Sequence, residues 1–271
     1  MQLSKKLPKC FKNRLIRIYY SRILLSHGIP LNKILKSIIF DEYIEADGFK
    51  LSNYGVWLKS KNTDKTFNFA LKSYRNGLEK ILKKLDSNFV FLDIGSNQGV
   101  FSLVANQNFF CKKIVCYEPN KNVINYLKLN LEFNQVRDFT IYKFAISSKN
   151  GSATFFSSDT HSGDTYFTSK NGNLKVRTVN KVHLNKISRT LNYPIFVKID
   201  VQGMELEVIN ELFKSKLKEN IKYLFIENDP KYGNYLNIVN LLSLHEFSEV
   251  KSFGARINSD IYFQKNNLQN M

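Results

Sequence analysis

From Phe89 onward, strand-like apolar runs alternate with amphipathic stretches of helical length, and few chain architectures satisfy such a pattern. FVFLDI is followed by Val100 to Gln107, KIVCYE by Val123 to Phe133, and then comes FTIYKFAI. After an interruption the order resumes as IFVKID, Met204 to Phe213, KYLFIE and Tyr235 to Leu244. Strands separated by helices pair in parallel and are covered on both faces, so the text predicts βαβ units around a mostly parallel sheet. The last two runs, FSEVKSF and IYFQK, have no helix between them and are expected to pair antiparallel through the turn Gly254-Ala-Arg-Ile-Asn258.

The remainder divides by composition. Residues 1–39 read as a basic helical arm: nine Lys and Arg fall within the first 36 positions, and the first acid is Asp41. Residues 7–25 have helical spacing, with Phe11, Leu15, Ile18 and Leu25 near one face. That face suits either an anionic membrane surface or packing on the body with the arginines solvated. Residues 40–88 read as a small β-hairpin plus a helix from Leu71 to Leu85, and residues 89–271 as the catalytic-sized domain with an inserted hairpin at 151–187.

A net charge of +17 suits nucleic acid, anionic lipid or acidic glycans without choosing among them. The three cysteines (Cys10, Cys111, Cys116) make no disulfide framework, which predicts a reducing, cytoplasmic setting. The four histidines lack zinc-ligand spacing, so no metal is expected. No apolar run approaches the ~20 residues of a membrane span, and Arg14, Arg17 and Arg22 interrupt any signal-peptide core.

Chemistry concentrates where the first core strand ends. In FVFLDIGSNQG, Asp93 is followed by Gly95, Ser96, Asn97 and Gly99 as the chain turns into a helix. Gly95 and Gly99 allow backbone angles and a close ligand approach that a Cβ would block, and the helix start offers free N–H groups. The spacing departs from the G-x-G-x-x-G of a pyrophosphate loop. The next strand ends in Glu118, 25 positions after Asp93, where a carboxylate can accept hydrogen bonds from ribose hydroxyls.

DIGSNQGVFS, CYEPN, FAISSKNG, FVKIDVQGMELEVI and FIEN, in this order, resemble the FkbM family of methyltransferases over about residues 77–264. The resemblance implies a class I methyltransferase fold, Rossmann-like α/β, with a mostly parallel seven-stranded sheet ending in an antiparallel hairpin. It also implies S-adenosylmethionine as cofactor and methyl transfer to a hydroxyl of a glycan, lipid-linked saccharide or secondary metabolite. Carried over by position, Asp93, Gly95, Ser96, Asn97 and Gly99 surround the cofactor's methionine part. Glu118, with Pro119 and Asn120 beside it, holds the ribose; Ala145 and Ile146 lie against the adenine. Glu79 is the acid that precedes the first strand. The chain carries Gln202 where members typically show Glu.

Asp200 and Glu205 are the candidate catalytic residues. Asp200 ends a buried strand at the sheet's carboxyl edge, where a carboxylate can take or orient a hydroxyl proton. Glu205 stands in the first turn of the next helix, where dipole stabilisation explains it equally well. Glu227 and Asp229 end the following strand, either as an acidic rim or as loop acceptors; His161 is a general base or an exposed loop residue. An RNA methyltransferase and a non-catalytic membrane-surface protein are the competing readings. No basic stripe interleaved with aromatics marks a nucleic-acid surface, which makes RNA the weaker partner and an anionic membrane the stronger.

Overall fold

A computed structural model describes residues 48–72, 77–255 and 258–266; the predicted arm helix lies outside them. The core is a seven-stranded sheet in the order β12-β13-β11-β10-β3-β4-β5. Its strands are β3 (Phe89–Ile94), β4 (Cys111–Tyr117), β5 (Phe139–Tyr142), β10 (Ile195–Ile199), β11 (Ile221–Asn228), β12 (Phe247–Ala255) and β13 (Asn258–Lys265). Strands β5, β4, β3, β10 and β11 pair in parallel, while β13 runs antiparallel to both β11 and β12. This is the class I methyltransferase plan, closing hairpin included.

The two central strands, β3 and β10, are buried along their whole length. Their residues alternate between two cores, as a period of two requires. Val90, Leu92, Ile94, Ile195, Val197 and Ile199 face one layer. Phe89, Phe91 and Phe196 face the other. The first layer includes Leu184 and Ile187 of α5 (Lys181–Ser188), Val208 and Leu212 of α6 (Glu205–Lys214), and Ile238 and Leu242 of α7 (Tyr235–Leu244). The second includes residues of α1 (Lys65–Lys72), α2 (Leu78–Leu82), α3 (Val100–Asn106) and α4 (Lys121–Phe133).

Three local expectations change in detail. The helix expected from Leu71 to Leu85 is two elements, α1 and α2. The second starts from Gly77 at φ +86°, where a Cβ would overlap the Phe253 ring. FTIYKFAI is not one strand: β5 pairs with β4, whereas β6 (Phe144–Ile146) pairs with β9 (Leu174–Val179) in a second sheet. That four-stranded sheet, ordered β6-β9-β7-β8, also contains β7 (Gly151–Ser157) and β8 (Thr165–Phe167). The stretch expected to be a hairpin thus supplies three strands and then α5.

A short hairpin, β1 (Lys50–Leu51) with β2 (Trp57–Leu58), lies on α4. There Asn134 Oδ1 accepts from the Trp57 N–H at 3.0 Å, and Asn130 Oδ1 from the Lys59 N–H at 2.7 Å. Among the described residues no helix is long and apolar enough to cross a membrane.

Candidate functional site

The carboxyl ends of β3, β4, β10 and β11 open into one cavity of about 320 Å³, and the second sheet forms part of its wall. Gly95, Ser96, Asn97, Glu118 and Pro119 line it, as do Ala145, Ile146 and Asp200. The Gly95 and Ser96 N–H groups both donate to the Tyr117 carbonyl, at 2.9 and 3.1 Å, which folds the loop across the end of β4. Gly95 sits at φ +77°, and a Cβ there would overlap the Asp200 backbone oxygen. The loops after β3 and β10 therefore meet backbone to backbone.

Glu118 is buried between two amides. Its Oε2 accepts from the Asn97 N–H at 2.7 Å and its Oε1 from the Asn120 N–H at 2.8 Å. Burial pushes its pKa up to about 7, although both hydrogen bonds and Lys198 pull the other way. Each carboxylate oxygen can accept two hydrogen bonds, so one position per oxygen remains for a ligand hydroxyl. Asn97 Oδ1 and Gln98 Oε1, both on cavity-lining residues, are buried acceptors with no protein partner. An amino-acid ammonium is the kind of donor that would satisfy them, and Phe144, Ala145, Ile146 and Phe155 give the cavity an apolar wall suited to a purine. These observations fit the expected cofactor.

Four candidates stand elsewhere. Asp93 is fully buried below the cavity, where its Oδ2 accepts from Ser102 Oγ at 2.6 Å. Gly99 serves helix packing: a Cβ would stand 2.7 Å from Leu127 Cδ1. Asn120 caps α4 through the Asn122 N–H at 3.0 Å and donates to Ser157 Oγ at 2.8 Å. Glu205 turns back onto its own loop, accepting from the Gly203 N–H at 3.0 Å and the Val201 N–H at 3.2 Å. None of the four lines the cavity. Glu79 is buried on α2 away from it, and Asp229 caps the turn that follows it by accepting from the Lys231 N–H at 2.9 Å. Among the described residues no three His, Cys, Asp or Glu side chains form a metal-holding group.

At the other end of the cavity a charged group not singled out from the sequence organises the acids. Lys198, 3% exposed, donates to the Gly95 carbonyl at 2.7 Å and lies 3.3 Å from Asp93 Oδ1 and 3.4 Å from Asp200 Oδ2. Gln202 Nε2 donates to Asp200 Oδ1 at 3.1 Å and to Glu227 Oε2 at 2.6 Å. Burial would raise the Asp200 carboxyl, but Lys198 and the hydrogen bonds from Glu227 and Gln202 outweigh it and hold it below the ordinary range. Burial and the adjacent Asp200 push Glu227 well above its ordinary value. The two neighbouring carboxyls are thus shifted in opposite directions, Asp200 down and Glu227 up. A lysine inside the otherwise apolar run IFVKID was the available sequence signal.

The roof is tied down by another residue the sequence left unmarked. Asp64 Oδ1 accepts from the Ser162 N–H at 3.1 Å and the Thr66 N–H at 3.0 Å, and its Oδ2 accepts from Gln98 Nε2. The Gly163 N–H donates to Thr66 Oγ1 at 2.8 Å. This strap fastens the β7–β8 loop to the start of α1 and to the loop after β3. His161 lies in that roof, edge-on to Phe69 at 6.2 Å between ring centroids.

The FkbM methyltransferase domain profile matches residues 93–253, more than half of the chain. No curated protein matches it. Similar solved structures include precorrin-6y C5,15-methyltransferase from Geobacter metallireducens GS-15, at 13% identity over 76% of this chain and 92% of that one, with a TM-score of 0.43. An rRNA methylase from Streptococcus thermophilus is 12% identical over 72% of this chain and 99% of that one, with a TM-score of 0.44. SMU.1697c from Streptococcus mutans, in complex with SAH, is 13% identical over 69% and 95%, with a TM-score of 0.43.

Proposed function

Because the chain belongs to the FkbM methyltransferase family, with S-adenosylmethionine as methyl donor, we propose that it methylates a hydroxyl oxygen of a glycan, a lipid-linked saccharide or a secondary metabolite. The observation that carries this reading is a carboxylate in the cavity wall, Asp200, 3.4 Å from the Lys198 ammonium and hydrogen-bonded by Gln202, which hold its pKa below the ordinary range. The sulfonium of the bound cofactor supplies an activated methyl group, which leaves the protein the tasks of alignment and proton removal.

In this reading Glu118 accepts the ribose hydroxyls and Asn97 Oδ1 the ammonium. Ala145 and Ile146 pack on the adenine. Asp200 accepts the hydrogen bond of the acceptor hydroxyl, which turns an oxygen lone pair toward the reacting end of the cavity. As that oxygen gains a bond its proton becomes strongly acidic, so a carboxylate of low pKa suffices to receive it. Asp200 then carries that proton until solvent removes it.

The test is incubation with labelled S-adenosylmethionine and fractionated cell-envelope glycans, with RNA as the parallel arm. Asp200→Asn is expected to lose at least about 100-fold in transfer to the glycan fraction while binding S-adenosylhomocysteine normally. Label entering RNA alone, or undiminished transfer by Asp200→Asn, refutes the reading. The basic first 36 residues are proposed to hold the enzyme at an anionic membrane surface, at the cytoplasmic face. Binding to vesicles with anionic lipid that persists undiminished at high salt would contradict this.

A further inference from the structure

Lys198 shares its face of β10 with Phe196, which belongs to the apolar core. A buried ammonium costs stability unless every proton finds an acceptor. Here the ammonium donates to the Gly95 carbonyl at 2.7 Å and forms ion pairs with Asp93 Oδ1 at 3.3 Å and Asp200 Oδ2 at 3.4 Å, partners from three parts of the site. The register explains the convergence, because Lys198 lies directly opposite Asp93 in the β3–β10 pair. Gly95 belongs to the loop that holds the cofactor, and Asp200 to the end that meets the acceptor.

We propose that Lys198 is a positioning residue that couples these two ends, holding the Gly95 carbonyl and the Asp200 carboxylate in one fixed relation. The proposal rests on the reading above for the role of Asp200. Other groups lie around Asp200. Asp93 of β3 shares the same ammonium, Glu227 of β11 is adjacent, and Asp260 of β13 stands opposite Glu227. Gln202 and Glu205 follow it in the chain. All the ionisable members of that set are acids, so the ammonium is the one positive charge among them. Gln202 steadies the opposite oxygen of Asp200, at Oδ1, and lies in left-handed backbone at φ 53° to do so.

Lys198→Met alone strands the Asp93 charge and can fail to fold for that reason, so it is combined with Asp93→Asn and compared with Asp93→Asn by itself. Two readouts on the full chain need no acceptor. One is S-adenosylhomocysteine affinity by calorimetry. The other is the titration of Asp200 by carbon NMR of carboxyl-labelled aspartate, its signal assigned by its loss in Asp200→Asn. Relative to Asp93→Asn, the double variant is expected to bind at least about tenfold more weakly and to titrate Asp200 at least about one pH unit higher. If either quantity stays where Asp93→Asn left it, the coupling is overturned. Failure of the Asp200 reading registers separately, as undiminished methyl transfer by Asp200→Asn.

Discussion

Gly95→Ala tests the backbone contact on which the site is built. Two costs add. A Cβ in left-handed backbone, φ +77°, costs about 1–2 kcal/mol. The same Cβ overlaps the Asp200 carbonyl oxygen, a main-chain atom that cannot rotate aside, so the loop after β3 must lift off β10 at about 1–3 kcal/mol more. The sum, about 2–5 kcal/mol, corresponds to a fall in Tm of roughly 4–20 °C for a domain of this size. Gly233→Ala is the matched control, because Gly233 also has a left-handed φ, +64°, but no atom within 4 Å of its added Cβ. It should lose about 2–8 °C, from the backbone cost alone. Scanning calorimetry gives both values, and titration with S-adenosylhomocysteine should show at least about tenfold weaker binding for Gly95→Ala alone. Equal falls in Tm, with binding intact in both variants, would refute the reasoning.

Burial pushes Glu118 up to about 7, so the folded chain retains a proton that the unfolded chain has released. Its contribution to stability is therefore present below the ordinary carboxylate range and is lost as pH rises through about 7. Ribose hydroxyls donate best to the ionised form, so S-adenosylhomocysteine should bind up to about tenfold more tightly at pH ~8 than at pH ~6. Glu118→Gln should flatten both trends, and a pH-independent affinity in the native chain would contradict the assignment. Asp64→Ala should unfasten the roof at a cost of about 2–4 kcal/mol, read as faster amide exchange at Ser162 and Gly163; unchanged protection there would show the strap to be idle. Burial and Asp93 push the Cys116 thiol up to about 12, so iodoacetamide should leave Cys116 unmodified until the chain unfolds, a point that peptide mass mapping decides.

The parallel sheet and its antiparallel closure were legible because both depend on local text. Apolar runs of strand length separated by helical stretches admit few architectures, all with parallel strands, and the missing helix before IYFQK favours one direction for the last strand. The same text put Gly95, Glu118 and Asp200 at the carboxyl edge, since each follows or ends a buried run. It was blind wherever the outcome depended on which way a side chain faces. Asp93 and Asp200 each sit at the end of an apolar strand, yet Asp93 falls one residue early and points down into the layer of Ser102, while Asp200 falls past the last paired residue and reaches the cavity. Glu205 was readable as an acid at a helix start but not as one folded back onto Gly203.

By itself, then, the sequence determined the order and direction of the strands, the family, and the edge at which ligands gather, because hydrophobic period and glycine tolerance are properties of short stretches. Tertiary structure alone decided that Lys198 stands opposite Asp93, that Asp64 reaches Ser162 across 98 positions, and that Asp200 and Glu227 are shifted in opposite directions. Those outcomes follow from strand register and from burial shared between distant segments. Both come into being only when the sheet is assembled, for a carboxylate has no fixed proton affinity until its neighbours have arrived.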